Sequence, residues 1–239
     1  SVPLEPEVAE LVAAAGRLRV EEIDGRQYAA GGYETWSASG LTGVWAEENT
    51  RDALYRAFRR KETFATSGPR MTVRLFGGYD FEESMLTQAD MLTQAYSTGV
   101  SMGGELLAED GEVPTLIVWA TRDPESAPLE RLQIVKGWTV DGEHHEQVFD
   151  VACSDGGTVD PSTHRCPDNG ASVDLSDCSI TTGVGAGELK TVWRDPDFSS
   201  EHRAFYYARA LENPTCRWST WDAVRVGAPL RPDLKPTLQ

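Results

Sequence analysis

The sequence predicts an α+β chain, with the closing edge of an α/β barrel over residues 1–68 and a mainly antiparallel β-sandwich over residues 69–239. Three observations lead there. Apolar positions before Thr66-Ser67-Gly68-Pro69 recur at helical spacing, those after it alternate with a period of two, and the apolar runs past Pro69 have little helical pattern between them. The change of texture at that tetrapeptide sets the predicted domain boundary.

Taken in order, Glu7 to Leu18 carry Val8, Leu11, Val12 and Ala15 on one helical face, with Gly16 placed to end the helix. Asp24 to Gly40 is rich in Gly, Ser and Tyr and predicts a loop. Leu41 to Ala46 then predicts a buried strand, and Asn49 or Thr50 can cap a helix with Ala53, Leu54, Ala57 and Phe58 on one side. Glu48 and Asp52 lie near its start and Arg59, Arg60 and Lys61 in its last turn, the charge order that suits the helix dipole. Strand, capped turn and basic-ended helix make an αβ unit of the kind that closes an α/β barrel or layer.

After Pro69, Met71, Val73 and Leu75 alternate with Thr72 and Arg74, and Gly77-Gly78 is expected to end this strand. The repeated MLTQA at Met85–Ala89 and Met91–Ala95 is a local helix or loop feature, since two copies make no solenoid. Further strands are expected at Thr115–Ala120, Leu129–Trp138, Gln147–Ala152, Glu188–Trp193 and Ala204–Leu211. Val140-Asp141-Gly142 is a hairpin signal, and Ser154 to Asp177 forms the main irregular loop.

Composition narrows the function classes. With 40% apolar residues and seven Trp, 239 residues can bury a real core. The formal charge of −16 repels phosphate backbones and anionic lipid surfaces, so nucleic acid is not an expected partner. No run approaches the roughly 18 apolar residues of a membrane helix, so no membrane span is expected. Cys153, Cys166, Cys178 and Cys216 form no Cys-x-x-Cys pair. An even set in a loop-rich region predicts two disulfides, in any of three pairings, and an oxidising compartment, periplasmic or secreted.

Few side chains form a recognisable chemical set. His144, His145, His164 and His202 lack metal-ligand spacing, and the adjacent pair is expected on opposite faces of a hairpin. Asp155, Asp160, Asp168, Asn169, Asp174 and Asp177 could supply oxygen ligands to a structural calcium, although their spacing matches no EF-hand and turn support explains them as well. Gly183 to Lys190 lacks the residues of a phosphate loop and reads as a turn feeding a strand. Ser37 and Ser39 stand in no Gly-x-Ser-x-Gly elbow, which disfavours a serine hydrolase. Trp36, Trp45, Glu47 and Glu48 are more informative, because the C-terminal end of a barrel strand faces the active-site mouth. Trp45, Glu47 and Glu48 are the substrate-side candidates, with helix capping by the two glutamates and core packing of Trp45 as the alternative.

Long strings carry a resemblance. GLTGVWAEENTRDALYRAFRRKETFATSGPR from Gly40, MGGEL at Met102–Leu106, RLQIVKGW from Arg131, RCPDNGASVDL from Arg165 and AFYYARALENPTCRWSTWDA from Ala204 resemble the C-terminal half of the bacterial domain-of-unknown-function 3604 family, over about Tyr33 to Pro229. That family is similar to the polymerase and histidinol phosphatase (PHP) superfamily, whose members hydrolyse phosphoesters or related esters with divalent metals in a distorted barrel. The resemblance implies that residues up to about Gly68 close a PHP-like barrel, and that Trp45, Glu47 and Glu48 end its final strand. The superfamily's His-x-His and Asp-x-His motifs have no counterpart here, so it implies divalent metals held by an N-terminal barrel segment outside this chain, which would be inactive alone; that barrel segment and a small-molecule substrate are the expected partners. The rival expectation is a non-catalytic, disulfide-braced β-sandwich that binds a ligand or has a structural role; solvent-facing Trp138, Trp193, Trp218 and Trp221 would favour it.

Overall fold

The computed structural model describes residues 2–16, 19–30, 36, 39–107 and 112–239. In chain order these form α1 (Pro6–Ala14), β1 (Arg19–Ile23), β2 (Arg26–Ala30), β3 (Leu41–Val44), α2 (Arg51–Arg60), β4 (Thr63–Thr66), β5 (Thr72–Gly78), a 3-10 turn (Glu83–Thr87), α3 (Met91–Thr98) and β6 (Gly99–Ser101). There follow β7 (Thr115–Thr121), β8 (Leu129–Val140), β9 (Glu143–Cys153), β10 (Glu188–Arg194), β11 (Arg203–Glu212), β12 (Thr215–Cys216), α4 (Trp218–Val226) and β13 (Thr237–Leu238). The chain is α+β, with few helices and antiparallel pairing throughout the described residues. It divides into two compact units, one of residues 1–39, 170–183 and 213–239 and the other of residues 40–169 and 184–212.

The larger unit is a sandwich. One sheet has the order β10-β7-β5-β6 and the other β11-β8-β9. Their facing sides share one core, with Leu116, Val118 and Ala120 from β7, Leu129, Leu132 and Ile134 from β8, and Phe149 and Val151 from β9. The intervening Ile117 points the other way, where Phe76, Phe81, Met85, Met91 and Ala95 bury it under the 3-10 turn and α3. A strand covered on both faces accounts for the near-continuous apolar run of β7. The two MLTQA copies thus differ in outcome, a 3-10 turn and an α-helix, yet both present a buried Met to one cluster.

Two expectations about strands change. Gly77 and Gly78 extend β5 rather than end it, because the Phe81 ring lies against Gly78 where a Cβ would stand 2.8 Å from its Cζ. The Leu41 strand is half-exposed, not buried, and shorter than expected. Thr50 caps α2, its Oγ1 accepting from the Ala53 amide, and Lys61 follows at φ +61°. This left-handed reversal turns the chain straight back, so β4 pairs antiparallel with β3, Leu41 opposite Thr66 and Val44 opposite Thr63. The strand–helix–strand segment is therefore an antiparallel pair with a helical connection. No parallel βα step of the kind a barrel repeats occurs among the described residues.

The division of the chain also falls elsewhere. Residues on both sides of Gly68 lie in one compact unit, which begins at Gly40. Trp45 Nε1 donates to the Val73 carbonyl at 2.9 Å, and the Arg70 amide donates to Asp123 Oδ2 at 2.7 Å, so the segment around Pro69 is a tight link and not a hinge.

Asp150 secures the irregular loop. Its buried carboxylate accepts from Gln133 Nε2 at 2.6 Å and the Cys166 amide at 2.8 Å, with Arg165 at 3.4 Å and Arg131 at 3.5 Å. The disulfide Cys153–Cys166 closes the same loop. At the other end of the core, Lys136 pairs with Asp195 and donates to the Asp197 carbonyl, while Tyr206 Oη donates to Asp195 at 2.7 Å. Burial first, then the Asp195 carboxylate, pushes the Tyr206 pKa up and keeps the phenol protonated.

In the smaller unit, Asp24 and Gly25, at φ +48° and +72°, turn β1 directly into β2. The predicted loop from Asp24 thus begins with a hairpin, because an Asp-Gly pair supplies the left-handed conformations that a two-residue turn requires. The disulfide Cys178–Cys216 ties residues 170–183 to the C-terminal segment. There α4 is capped by Gly227 at φ +65°. Buried Arg231 lies 5.4 Å over the buried Tyr28 ring and is paired with Asp233 at 2.8 Å.

Two outcomes follow from these buried carboxylates. Removing Asp150 strands the loop amide and two guanidinium groups, so Asp150→Ala is expected to lower the unfolding free energy by about 3 kcal/mol in urea titrations with the disulfides intact; a loss below about 1 kcal/mol would assign the loop to the disulfide alone. Glu212, buried beside Ser126, has its pKa raised from 4.5 to about 7, chiefly by burial and further by Asp123. A raised carboxyl value means that the folded state binds the proton more tightly, so stability from this group is full below about pH 4.5 and is lost as pH rises through about 7, an effect of about 3 kcal/mol. Glu212→Gln is expected to flatten that decline and to be the more stable protein at pH 8.

Candidate functional site

The larger unit has an open pocket of about 550 Å³, lined by Trp45, Glu47, Arg60, Glu62, Arg74 and Tyr96 among others. Each side chain arrives for a local reason. Trp45 follows β3 and is fixed by its indole bond to Val73. Arg74 alternates with Val73 and Leu75 along β5, so those two face the sandwich core while Arg74 faces outward. Tyr96 lies on α3, with its ring edge-on to Phe76 at 5.0 Å.

The polar groups form a chain. Arg60 reaches Glu62 Oε2 through Nε at 3.0 Å and Nη2 at 2.8 Å, and the same Nη2 lies 3.2 Å from Glu47 Oε1. Arg74 Nη1 donates to Tyr96 Oη at 3.1 Å, and its guanidinium carbon lies 3.5 Å from the centre of the Trp45 ring. Arg60 is thus matched by two carboxylates. Arg74 forms no ion pair among the described residues.

Electrostatics follow from these contacts. The hydrogen bond from its own backbone amide, assisted by Arg60, holds the Glu47 pKa below the usual carboxylate range. Burial first, then the Glu62 charge, pushes the Tyr96 pKa up, so its phenol stays neutral across the physiological range. The hydrogen bond to Glu62 raises the Arg60 pKa. What the arrangement offers a ligand is a flat cation braced by an indole and a phenol, with most of its N–H donors facing no carboxylate. A guanidinium of this kind takes two oxygens of a carboxylate, sulfate or phosphate side by side.

Of the expected substrate-side residues, Trp45 and Glu47 line the pocket. Glu48 lies at the start of α2 instead, where its Oε1 accepts from the Thr50 hydroxyl at 3.1 Å. Arg60, Glu62, Arg74 and Tyr96 were not singled out in the sequence. Arg60 reads there as a helix-dipole residue, and nothing in the local pattern joins Arg74 to Tyr96, 22 residues further on.

The pocket does not fit a divalent metal. Its two carboxylates are already held by Arg60, and no group of three or more His, Cys, Asp or Glu converges among the described residues. The histidines are engaged separately: His145 stacks on Trp138 at 5.3 Å, His202 on the same ring at 6.3 Å, His144 bonds Thr139 Oγ1, and His164 meets the Phe149 ring edge-on. The acidic loop residues support turns. Asp160 accepts from the Ser162 and Thr163 amides, Asp174 from the Ser176 amide, Asp177 from the Ser179 amide, and Asp155 from the Gly185 amide. Asp155, Asp160, Asp168 and Asn169 belong to the larger unit and Asp174 and Asp177 to the smaller.

The remaining candidates are dispersed. The expected turn before β10 is instead a run of bends, in which Ala186 forms an antiparallel bridge with Leu129. Ser37 lies outside the described residues, Ser39 is exposed, and the exposed Trp36 offers its carbonyl to Arg217 and the Trp218 indole within the smaller unit. Of the four tryptophans that bear on the binding-module expectation, Trp193 packs against the sandwich core, Trp138 lies between two histidines, Trp218 is half-buried on α4, and Trp221 on α4 is exposed.

The sequence model of one family, described as "Protein of unknown function (DUF3604)", matches residues 9–239, a span wider than the quoted strings indicated. No curated protein and no solved structure matches the chain.

Proposed function

Because the chain belongs to the DUF3604 family, we propose that it is the C-terminal, substrate-side part of a metal-dependent hydrolase of phosphoesters or related esters, akin to the PHP superfamily. On this reading the pocket beside Trp45 receives the anionic part of a small-molecule substrate. The divalent metals belong to an N-terminal barrel segment outside these residues, and no step of the reaction runs through a metal held here. The observation that carries the reading is Arg74, a guanidinium laid on Trp45 and steadied by Tyr96 with no carboxylate partner among the described residues. A guanidinium that forms no ion pair among the described residues and faces an open pocket favours an anionic ligand by its local charge.

The two disulfides favour an oxidising compartment, periplasmic or extracellular, and no helix among the described residues is long and apolar enough to cross a membrane. A second reading, a non-catalytic disulfide-braced sandwich that binds a ligand, draws chiefly on Phe205 and Tyr207, which stand exposed side by side on β11, since of the four tryptophans expected to favour it Trp221 alone is exposed.

Calorimetric titration with inorganic phosphate tests the pocket. The chain is expected to bind phosphate, and Arg74→Met to weaken binding at least tenfold, about 1.4 kcal/mol, without loss of thermal stability. Equal binding by the variant would contradict the role given to Arg74. Hydrolysis of bis(p-nitrophenyl) phosphate with Mn2+ should be absent from this chain and present in a polypeptide that adds the barrel segment, where Arg74→Met raises KM more than it lowers kcat. Metal-dependent turnover by this chain alone would overturn the reading.

A further inference from the structure

One face of β11 carries Arg203, Phe205, Tyr207 and Arg209 at alternate positions, which point to the same side of the sheet. This is the outer side, since Tyr206, Ala208 and Ala210 pack into the core. Phe205 is 60% exposed and Tyr207 43% exposed. Their ring planes differ by only 11°, with centroids 6.4 Å apart. Phe205 leans across the sheet onto Gly137 of β8, where a Cβ would stand 2.3 Å from its Cζ. The absence of that Cβ leaves room for the ring against the sheet, and its plane runs nearly parallel to that of Tyr207.

The Phe205 ring covers Gly137 yet stays largely in water. Two large aromatic groups exposed next to each other form an apolar strip that a ligand can cover. The flanking cations narrow the ligand. Arg209 Nε is held by Gln133 Oε1 at 2.8 Å, and neither Arg203 nor Arg209 forms an ion pair among the described residues. Six residues of strand set the two about 20 Å apart. Local cations are felt over the neighbouring Debye length of about 8 Å, whatever the net charge of the chain. A ligand that suits the strip is long, offers flat apolar faces to the two rings, and carries isolated negative charges rather than a dense row of them.

We propose that this strip binds an acidic polysaccharide in which carboxylate sugars alternate with neutral ones, the pyranose faces lying on Phe205 and Tyr207 and the carboxylates meeting Arg203 and Arg209. Pyranose rings present axial C–H groups to aromatic faces, and guanidinium groups hold carboxylates in a fork. A nucleic acid, with one phosphate charge per about 1.7 Å of duplex, needs a dense row of cations, and this strip offers two. This site is separate from the pocket beside Trp45 and stands or falls independently of the hydrolase reading.

The test uses hyaluronan octasaccharide, whose carboxylates occur on every second sugar, with chitohexaose as the neutral counterpart, against the full 239-residue chain in calorimetry and sedimentation. Hyaluronan binding is expected to weaken at least tenfold in Phe205→Ala/Tyr207→Ala and at least threefold in Arg203→Gln/Arg209→Gln, with unchanged circular dichroism and melting. Gly137→Ala, which keeps every contact group but displaces the Phe205 ring, should weaken it as well, and Arg74→Met should not. No hyaluronan binding by the natural sequence would overturn the proposal, as would equal affinity for chitohexaose together with no effect of the arginine changes. A dimer that Phe205→Ala/Tyr207→Ala dissociates would assign the strip to a second copy of the chain and equally overturn it.

Discussion

The β5–β7 pair is covered on both faces, by the second sheet on one side and by the 3-10 turn and α3 on the other, so side chains along it must find protein partners instead of water. That constraint sorts β5 residue by residue. Val73 and Leu75 enter the sandwich core, Phe76 enters the helical cluster, and Arg74, on the helical side, can keep its charge only at the rim where the pocket opens. The same strand offers the Val73 carbonyl to Trp45 and so holds the segment before Gly68 against the sandwich. The pocket is a by-product of how the layers stack: β5 provides the cation, α3 the phenol, and the β3–α2–β4 segment the indole and the Arg60 ion pairs.

Within the pocket, two cations with different surroundings sit close together. Arg60 is saturated by Glu47 and Glu62 and serves to position the walls. Arg74 is braced by aromatic groups that restrict its orientation without neutralising it. Side-chain entropy lost in ordering an arginine is thus spent on folding, before any ligand arrives. The carboxylates that might have ligated a metal are committed to Arg60, which is why the donor set does not suit a divalent ion.

Much of the sandwich was legible in the sequence, because its strands are long and their apolar alternation is regular; the runs from Thr115, Leu129, Glu188 and Ala204 each correspond to a strand within a few residues. The Asp141-Gly142 turn is legible from the alternation of the strands around it, whereas at Asp24-Gly25 the flanking polar residues Glu21, Glu22, Arg26 and Gln27 obscure the same chemistry. The boundary at Gly68 was misleading for a physical reason: a change of period marks a change of element, whereas the extent of a unit depends on contacts such as Trp45 with Val73, 28 residues apart. Trp45 and Glu47 could be picked out by their position after a strand. Arg74, Tyr96 and Glu62 could not, since only the folded layers bring them together, and four cysteines alone could not select Cys153–Cys166 and Cys178–Cys216 from three pairings.

Native-state hydrogen exchange tests most directly whether the covered β5–β7 pair makes one cooperative unit from Gly40 onward. Amides of β3, α2 and β4 are expected to exchange with the same opening free energy as those of β5 and β7, and to lose protection together as urea is added. Exchange of residues 40–66 through a separate, lower-energy opening that leaves β5 and β7 protected would contradict the account and restore a division at Gly68.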